Sequence, residues 1–416
     1  MKQLNIKEIK SISDRTILYG AGMIGRLSLE FLKRNNINVN YFCDSDERLT
    51  GNIIDGLKVI SKEELKRLDK KINVFISNKY LNTVGKYLKD NKFENIYDCS
   101  VLLEDFDLED FYKKKKSTFQ LQGSEGDFPI LKLQRELDFY LEMCKKENYV
   151  SSKKLHLKTI DVQITERCSA KCLNCSNLMQ YYEKPINSES DQLFSSIDTF
   201  MNAIDKLDEF RVIGGDAFMH KELYKIINFL KKFDTKIIVY TNAKIVPKDQ
   251  ALECLKHPKV IVDITNYGNE ASLKHDEVVA LFEQENVAYS TTRTTKWQDC
   301  GRILPFMERN ENELKDLFHN CCNSDLISLL HGRLYRCPYS ANATNLRAVP
   351  DEKSDYVDLL DKNKSLAEIR ESIFKLCYQK DYLAACSYCN GRDYSTKWIP
   401  AAEQTKKRPL AYKKIK

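Results

Sequence analysis

The sequence predicts an α/β protein: an N-terminal parallel sheet, a larger partial parallel barrel of up to six β/α repeats, and an irregular cysteine-rich C-terminal segment. Three observations predict this. Short apolar strands alternate with amphipathic helical stretches, and the alternation starts twice, near residue 16 and near residue 158. A glycine turn follows the first strand. Most of the chain's 14 cysteines fall after residue 165, several in close-spaced groups. At roughly 100–200 residues per domain, 416 residues hold two to four domains. The expected divisions are an α/β domain over 1–105, a connector with a helix over 106–157, a barrel over 158–310 and a metal-bearing segment over 311–416.

In the first domain, Thr16–Tyr19 is a short strand, and Arg26–Arg34 places Leu27, Leu29, Phe31 and Leu32 on helical spacing. Further strands are expected at Val39–Cys43, Val74–Ser77 and Asn95–Asp98, with helices at Lys62–Leu68 and Leu81–Lys89. The connector carries Lys113–Lys116, read as a solvated linker face, then a Ser/Gln/Gly stretch to Asp127 and a helix over Ile130–Lys146. The barrel strands are expected at Thr159–Thr165, Phe210–Ile213, Lys236–Tyr240, Val260–Thr265 and Ala288–Thr291. Helices fill the gaps at Gln192–Leu207, Leu223–Phe233 and Ala271–Gln284. Such an array gathers its functional residues at the C-terminal ends of its strands. From about Asn320 the pattern turns irregular, and metal is the expected staple.

Hydrophobic residues make up 42% and charged residues 30%, which argues against disorder. A formal net charge of +6 is mild and calls for neither nucleic acid nor a membrane surface. No apolar run reaches bilayer-spanning length, and Met1–Asp14 lacks the apolar centre of a secretory signal. The expected compartment is the cytoplasm, where this many cysteines signal metal or redox work rather than disulfides.

Cys168, Cys172 and Cys175 form a Cys-x3-Cys-x2-Cys run just after Ile160–Thr165. Three thiolates within eight residues suit an iron–sulfur cluster with one open iron better than a zinc site, which usually closes with four ligands. A zinc knuckle on the same cysteines is the competing reading. The run resembles the signature of the radical S-adenosylmethionine enzymes, at the position where that family carries it. Gly214-Gly215-Asp216 resembles the family's Gly-Gly-Glu motif, with a side chain one methylene shorter; the resemblance implies contact with the methionine amino group. By the same resemblance Thr241, Asn242, Thr265 and Asn266, at the ends of the next strands, are cofactor-binding. Asn174 departs from the family, which often has an aromatic residue there. The resemblance implies a four-iron cluster that, once reduced by a flavodoxin- or ferredoxin-type donor, cleaves S-adenosylmethionine to a 5′-deoxyadenosyl radical that takes a hydrogen atom from substrate.

Cys322, Gly332 and Cys337, followed by Cys386-x2-Cys389, can close a second four-thiolate site from two distant segments. The spacing resembles the one-cluster "twitch" form of the SPASM-like auxiliary extension, because no cysteine follows Cys389. Cys321 adjoins Cys322 and is the alternative ligand; spacing favours Cys322. A structural zinc site is the alternative.

Gly20-x-Gly22-x-x-Gly25, with Asp44 at the end of the next strand, has the arrangement of a Rossmann-like dinucleotide turn: tight backbone, a helix N-terminus for phosphate, a carboxylate for a ribose hydroxyl. Tyr19–Leu65 also resembles the small domain of bacterial sugar acyltransferases that binds nucleotide-sugar. A fold that has lost its ligand is the competing reading.

Trp297–Gly301 follows the last barrel strand. Cys300 is a candidate hydrogen-atom donor and Asp299 a candidate base; Arg293 is a candidate anion partner, and His220 reads as a helix start. Trp398–Gln404 stands out with no mechanism attached. The expected function is radical oxidation or epimerisation of a hydroxyl-bearing carbon of a sugar or nucleotide-sugar. The alternatives are a ribosomal-peptide maturase and a non-catalytic, metal-stapled nucleotide-sugar sensor.

Overall fold

A computed structural model describes residues 15–104, 106–115, 124–125, 130–268, 271–393, 396–407 and 409–415. The described residues up to Asn148 form one compact unit; those from Tyr149 on, with Ser124–Glu125, form a second.

The first unit follows from strands whose alternate residues are both apolar. β1 (Thr16–Tyr19), β2 (Val39–Cys43), β3 (Ile53–Ile54), β4 (Leu57–Ile60), β5 (Asn73–Ile76) and β6 (Asn95–Asp98) lie in the order β3-β4-β2-β1-β5-β6. All pair in parallel except β3 with β4. Leu18, Phe42, Val59 and Phe75 enter one apolar cluster, and Ile17, Cys43, Ile60, Val74 and Ile76 enter another. Both faces of the sheet are therefore buried, as a parallel sheet requires. β1 lies between β2 and β5, so chain order reverses there and the glycine turn sits at the switch point. The β3–β4 hairpin was not expected; Asp55-Gly56 supplies its two positive φ angles, 48° and 85°.

The expected connector helix runs over Ile130–Ser151. Its Leu133, Leu137 and Tyr140 pack with Leu27, Leu103, Leu108 and Phe111. Lys113–Lys115 end the helix Leu108–Lys115. Lys116 and most of the stretch to Asp127 lie outside the described residues.

The second unit is built on a nine-stranded sheet. Its strands are β7 (Ser124–Glu125), β8 (His156–Thr165), β9 (Lys206–Gly214), β10 (Lys236–Thr241), β11 (Val260–Asn266) and β12 (Tyr289–Thr294), then β14 (Ser328–Leu330), β15 (Arg333–Tyr335) and β16 (Tyr356–Asp358). β13 (Lys296–Gln298) pairs separately with β17 (Trp398–Pro400). The order is β16-β15-β14-β8-β9-β10-β11-β12-β7, with β14 and β8–β12 parallel and β7, β15 and β16 antiparallel to their neighbours. The array is open, ending at β16 and β7.

Outward residues such as Ile160, Val162, Phe210, Val212, Val239, Val262 and Ile264 join Phe200, Ile226, Ile227, Val278 and Phe282 of the covering helices in one apolar core. The alternate positions are polar and buried: Asp161, Gln163, Glu209, Asp263, Thr292 and Ser328. One face thus holds the core while the other is chemically equipped.

The reading of the chain beyond Asn320 as irregular is corrected. β14 adds a sixth parallel strand beside β8, and β14–β15 is a tight hairpin turned at His331-Gly332, with φ of 47° and 84°. Gly332, read from sequence as a spacer between cysteines, is this turn residue.

Candidate functional site

Because β8–β12 run parallel, the segments that leave their C-terminal ends gather along one edge of the sheet. The Cys168–Cys175 loop leaves β8, Gly214–Asp216 leaves β9, Thr241–Asn242 ends β10 and Thr265–Asn266 ends β11. Cys168, Cys172 and Cys175 share an apolar patch with Ala170, Ala271, Tyr267, Trp297 and Ala402. Burial, and next the Asp216 carboxylate, push the Cys168 thiol up, with smaller contributions from Cys175 and Cys172.

The paired glycines are required by contact. Gly214 has φ of 145°, and a Cβ there would lie 2.2 Å from the Thr165 carbonyl oxygen. A Cβ on Gly215 would lie 2.0 Å from the Arg167 carbonyl and 2.9 Å from Cys168 Cβ. Only two bare Cα positions let the cysteine loop descend onto the end of β9.

Asp216 is 1% exposed and accepts from the Phe218 amide, the Asn242 amide at 3.2 Å and Thr241 Oγ1 at 3.1 Å. Burial raises its carboxyl. In this arrangement its oxygens tie the end of β9 to the end of β10. Asn242 Nδ2 donates to Cys168 Sγ at 3.8 Å, and Asn242 Oδ1 accepts from the Lys244 amide. Asn266 Oδ1 accepts from the Gly268 amide and from Arg293 Nη1 at 3.1 Å, so the guanidinium is set beside the β11 end. Thr265 gives its carbonyl to Ser272 Oγ. His220 is buried; its Nδ1 accepts from the Glu222 amide, and Nε2 faces the Ser188 carbonyl at 3.1 Å, so it closes the short turn Ala217–Met219, while the helix Leu223–Leu230 starts beyond it with Glu222 as its N-cap.

A second group of thiols surrounds a pocket lined by Cys300, Cys321, Cys337, Cys386, Cys389 and Arg392, among others. The two adjacent cysteines differ in their surroundings. Cys321 caps the helix Glu311–Asn320 in extended backbone and lines the pocket, whereas Cys322 begins the next turn and is exposed. Cys337 occupies the N-cap of the helix Pro338–Asn345, where its Sγ accepts from the Ser340 amide at 3.3 Å. Cys389 Sγ accepts from the Gly391 amide at 3.3 Å. The Cys386–Cys389 turn is held by Arg309 Nη1, which donates to both cysteine carbonyls, and by Tyr339 Oη on the Tyr388 carbonyl at 2.6 Å. Burial pushes the Cys321 thiol up to about 12 and the Cys386 thiol up to about 11.

The donor chemistry of both groups fits iron–sulfur clusters: soft sulfur only, with N–H groups aimed at the sulfurs. All 14 cysteines are free thiols.

Cys300 is buried and also lines the pocket. Gly301 approaches the Cys175 loop so closely that a Cβ would lie 2.1 Å from the Asn174 carbonyl. Asp299 lies 3.6 Å from Arg302 Nε, which also donates to Asn174 Oδ1 at 2.7 Å. Sequence reasoning named Cys321 as the alternative to Cys322 and gave no role to Arg392 or Gln404.

In the first unit the turn is as tight as the motif suggests. A Cβ on Gly25 would lie 1.9 Å from the Gly20 carbonyl, while Gly22 faces open space. Asp44 is held at the turn. Its Oδ2 accepts from the Ala21 amide at 2.7 Å and its Oδ1 from the Asp46 amide at 2.9 Å, so the carboxylate fastens the turn to β2.

No helix among the described residues is long and apolar enough to cross a membrane. A family model described as C2185-like, N-terminal, matches residues 12–95. No curated protein matches the chain. Among solved structures, BtrN in complex with AdoMet and 2-DOIA is 12% identical, with 57% of this chain and 94% of that chain covered at a TM-score of 0.36. Native anSMEcpe with bound AdoMet is 10% identical, with 53% and 82% covered at 0.36. Streptococcus suis SuiB bound to precursor peptide SuiA is 12% identical, at a TM-score of 0.29. The match covers 44% of this chain and 45% of SuiB, so less than half the length of SuiB is spanned. Likenesses of this degree leave function to the residues of the site.

Proposed function

We propose that the chain is a radical S-adenosylmethionine enzyme with one auxiliary iron–sulfur cluster, acting on a hydroxyl-bearing carbon of a sugar or nucleotide-sugar. The carrying observation is the pair of thiol groups: three cysteines in one loop at the β8 end, and four from distant segments lining one pocket. Cys168, Cys172 and Cys175 would hold the first cluster, and Cys321, Cys337, Cys386 and Cys389 the second. Bound together, the first cluster and S-adenosylmethionine supply a carbon-centred radical able to abstract hydrogen from an unactivated C–H bond.

The chain's own residues bind and orient. Gly214 and Gly215 bring the cysteine loop to the β9 end; Thr241, Asn242, Thr265 and Asn266 line the same edge and would receive S-adenosylmethionine there. Arg293 offers a fixed guanidinium to an anionic substrate group. Asp299 would take the hydroxyl proton as a ketone forms, with the departing electron passed to the second cluster. A flavodoxin- or ferredoxin-type protein in the cytoplasm would supply the priming electron, and the first unit would by itself bind a nucleotide or nucleotide-sugar at its glycine turn.

Epimerisation is the second reading, favoured by one observation: the buried Cys300 thiol lies within electrostatic range of both Cys175 and Cys389. Cys300→Ala would then abolish epimerisation and leave oxidation. The test is anaerobic reconstitution followed by a substrate screen. About eight irons per chain, with nucleotide-sugar oxidation, support the proposal. About four irons, with zinc at the second site, refute the auxiliary role; turnover of ribosomal peptides alone would make the chain a maturase.

A further inference from the structure

The segment Trp398–Gln404, which the proposed chemistry leaves unused, is laid against the first cysteine loop. β17 pairs with β13, and the Ala401 amide donates to the Thr295 carbonyl at 2.9 Å. Ala402 is buried in the patch that holds Cys168, Cys172 and Cys175. The next residues bind the loop directly. The Leu173 amide donates to the Glu403 carbonyl at 2.7 Å, and the Thr405 amide donates to the Lys171 carbonyl at 2.7 Å. The Lys171 amide donates to Gln404 Oε1 at 2.8 Å. That bond fixes which end of the Gln404 amide is oxygen, and it aims Nε2 at Cys172 Sγ, 3.4 Å away, as well as at the Ala402 carbonyl.

From this geometry we infer that Trp398–Thr405 is a strap closing the cluster loop, and that Gln404 is a positioning residue whose N–H···S bond to Cys172 sets the reduction potential of the first cluster. The inference rests on the proposed function. Cysteine sulfurs that ligate iron carry more negative charge in the reduced state, so an N–H donor stabilises that state and raises the potential. Asn242 is built on the same plan at Cys168, its oxygen held by a backbone amide and its nitrogen turned to sulfur. The bond joins residues 232 positions apart, so the potential of the loop depends on docking of the far end of the chain.

Gln404→Glu tests this in the full chain. The carboxylate keeps an acceptor for the Lys171 amide but has no N–H for Cys172. The readout is an anaerobic redox titration followed by electron paramagnetic resonance, with the first cluster identified as the one whose spectrum changes when S-adenosylmethionine is added. The expected result is unchanged iron content, an unmoved second cluster, and a first cluster about tenfold harder to reduce, about 59 mV for one electron. Two loaded proteins with the same midpoint would overturn the inference and leave Gln404 as a fastener of the strap. If Gln404→Glu fails to load, the neutral Gln404→Met is judged by the same criterion. A wild-type chain that loads no iron would instead overturn the proposed function, which distinguishes the two failures.

Discussion

Adjacent cysteines at the end of the helix Glu311–Asn320 give a sharp test of the second site, through Cys321→Ser and Cys322→Ser. Cys321 lies in extended backbone at the helix end and Cys322 opens the next turn, so the two thiols leave the chain in different directions. Cys321 lines the pocket with Cys337, Cys386 and Cys389, whereas Cys322 is exposed. The remaining thiols lie within electrostatic range of one another: Cys337 is raised chiefly by burial and then by Cys321, Cys389 and Cys386. A four-iron cluster deprived of one of four thiolates loses its closed shell. Iron and acid-labile sulfide after anaerobic reconstitution should therefore fall from about eight to about four per chain in Cys321→Ser, and stay near eight in Cys322→Ser. The opposite pattern would refute the geometry. Equal loss in both would refute it too, because it would show that the segment is stabilised as a whole rather than through one ligand.

Three further outcomes follow from contacts. Gly215→Ala should block loading of the first cluster while the second loads, since the new Cβ would meet the Arg167 carbonyl at 2.0 Å; iron analysis would show about four irons retained. Gly25→Ala should destabilise the first unit by about 3 kcal/mol in a denaturant titration, because its Cβ would lie 1.9 Å from the Gly20 carbonyl. Burial alone would raise the Asp208 carboxyl, but His156, Lys206 and Lys158 outweigh it and hold it at about 2. A group depressed on folding stabilises above its unfolded pKa, and that stability is lost as pH falls through the folded value. Wild type should thus lose about 2 kcal/mol more than Asp208→Asn between about pH 5 and pH 2, read by thermal unfolding.

The parallel strands were legible because their apolar residues are consecutive and their polar breaks are sharp: β1, β2 and β6 have the bounds the sequence suggested. The Cys168–Cys175 run and Gly214-Gly215 were equally plain, since local chemistry dictates both spacing and position. What escaped is instructive. Two hairpins, at Asp55-Gly56 and His331-Gly332, carry two-residue turns with paired positive φ, yet each strand is too short to show a period. β14 takes its place beside β8 through pairing with Asp161 and Val162, which no local pattern encodes. Cys321 and Cys322 have nearly the same spacing to Cys337, and only the direction in which the preceding helix ends separates them. Gln404 was invisible as a partner of Cys172 because a strap crossing the chain's length leaves no periodicity. The bonds that Asp44 accepts from the Ala21 and Asp46 amides escaped for a related reason: the motif specifies a carboxylate at that place, and its amide partners appear only in three dimensions.

The central claim is that the three thiols at the β8 end support cleavage of S-adenosylmethionine. Reconstituted wild-type chain should be incubated anaerobically with S-adenosylmethionine and dithionite, and 5′-deoxyadenosine quantified beside a Cys168→Ala/Cys172→Ala/Cys175→Ala variant. The account predicts 5′-deoxyadenosine from the wild type and none from the variant. Its absence from a wild-type chain that carries about eight irons, or equal amounts from both proteins, would contradict it.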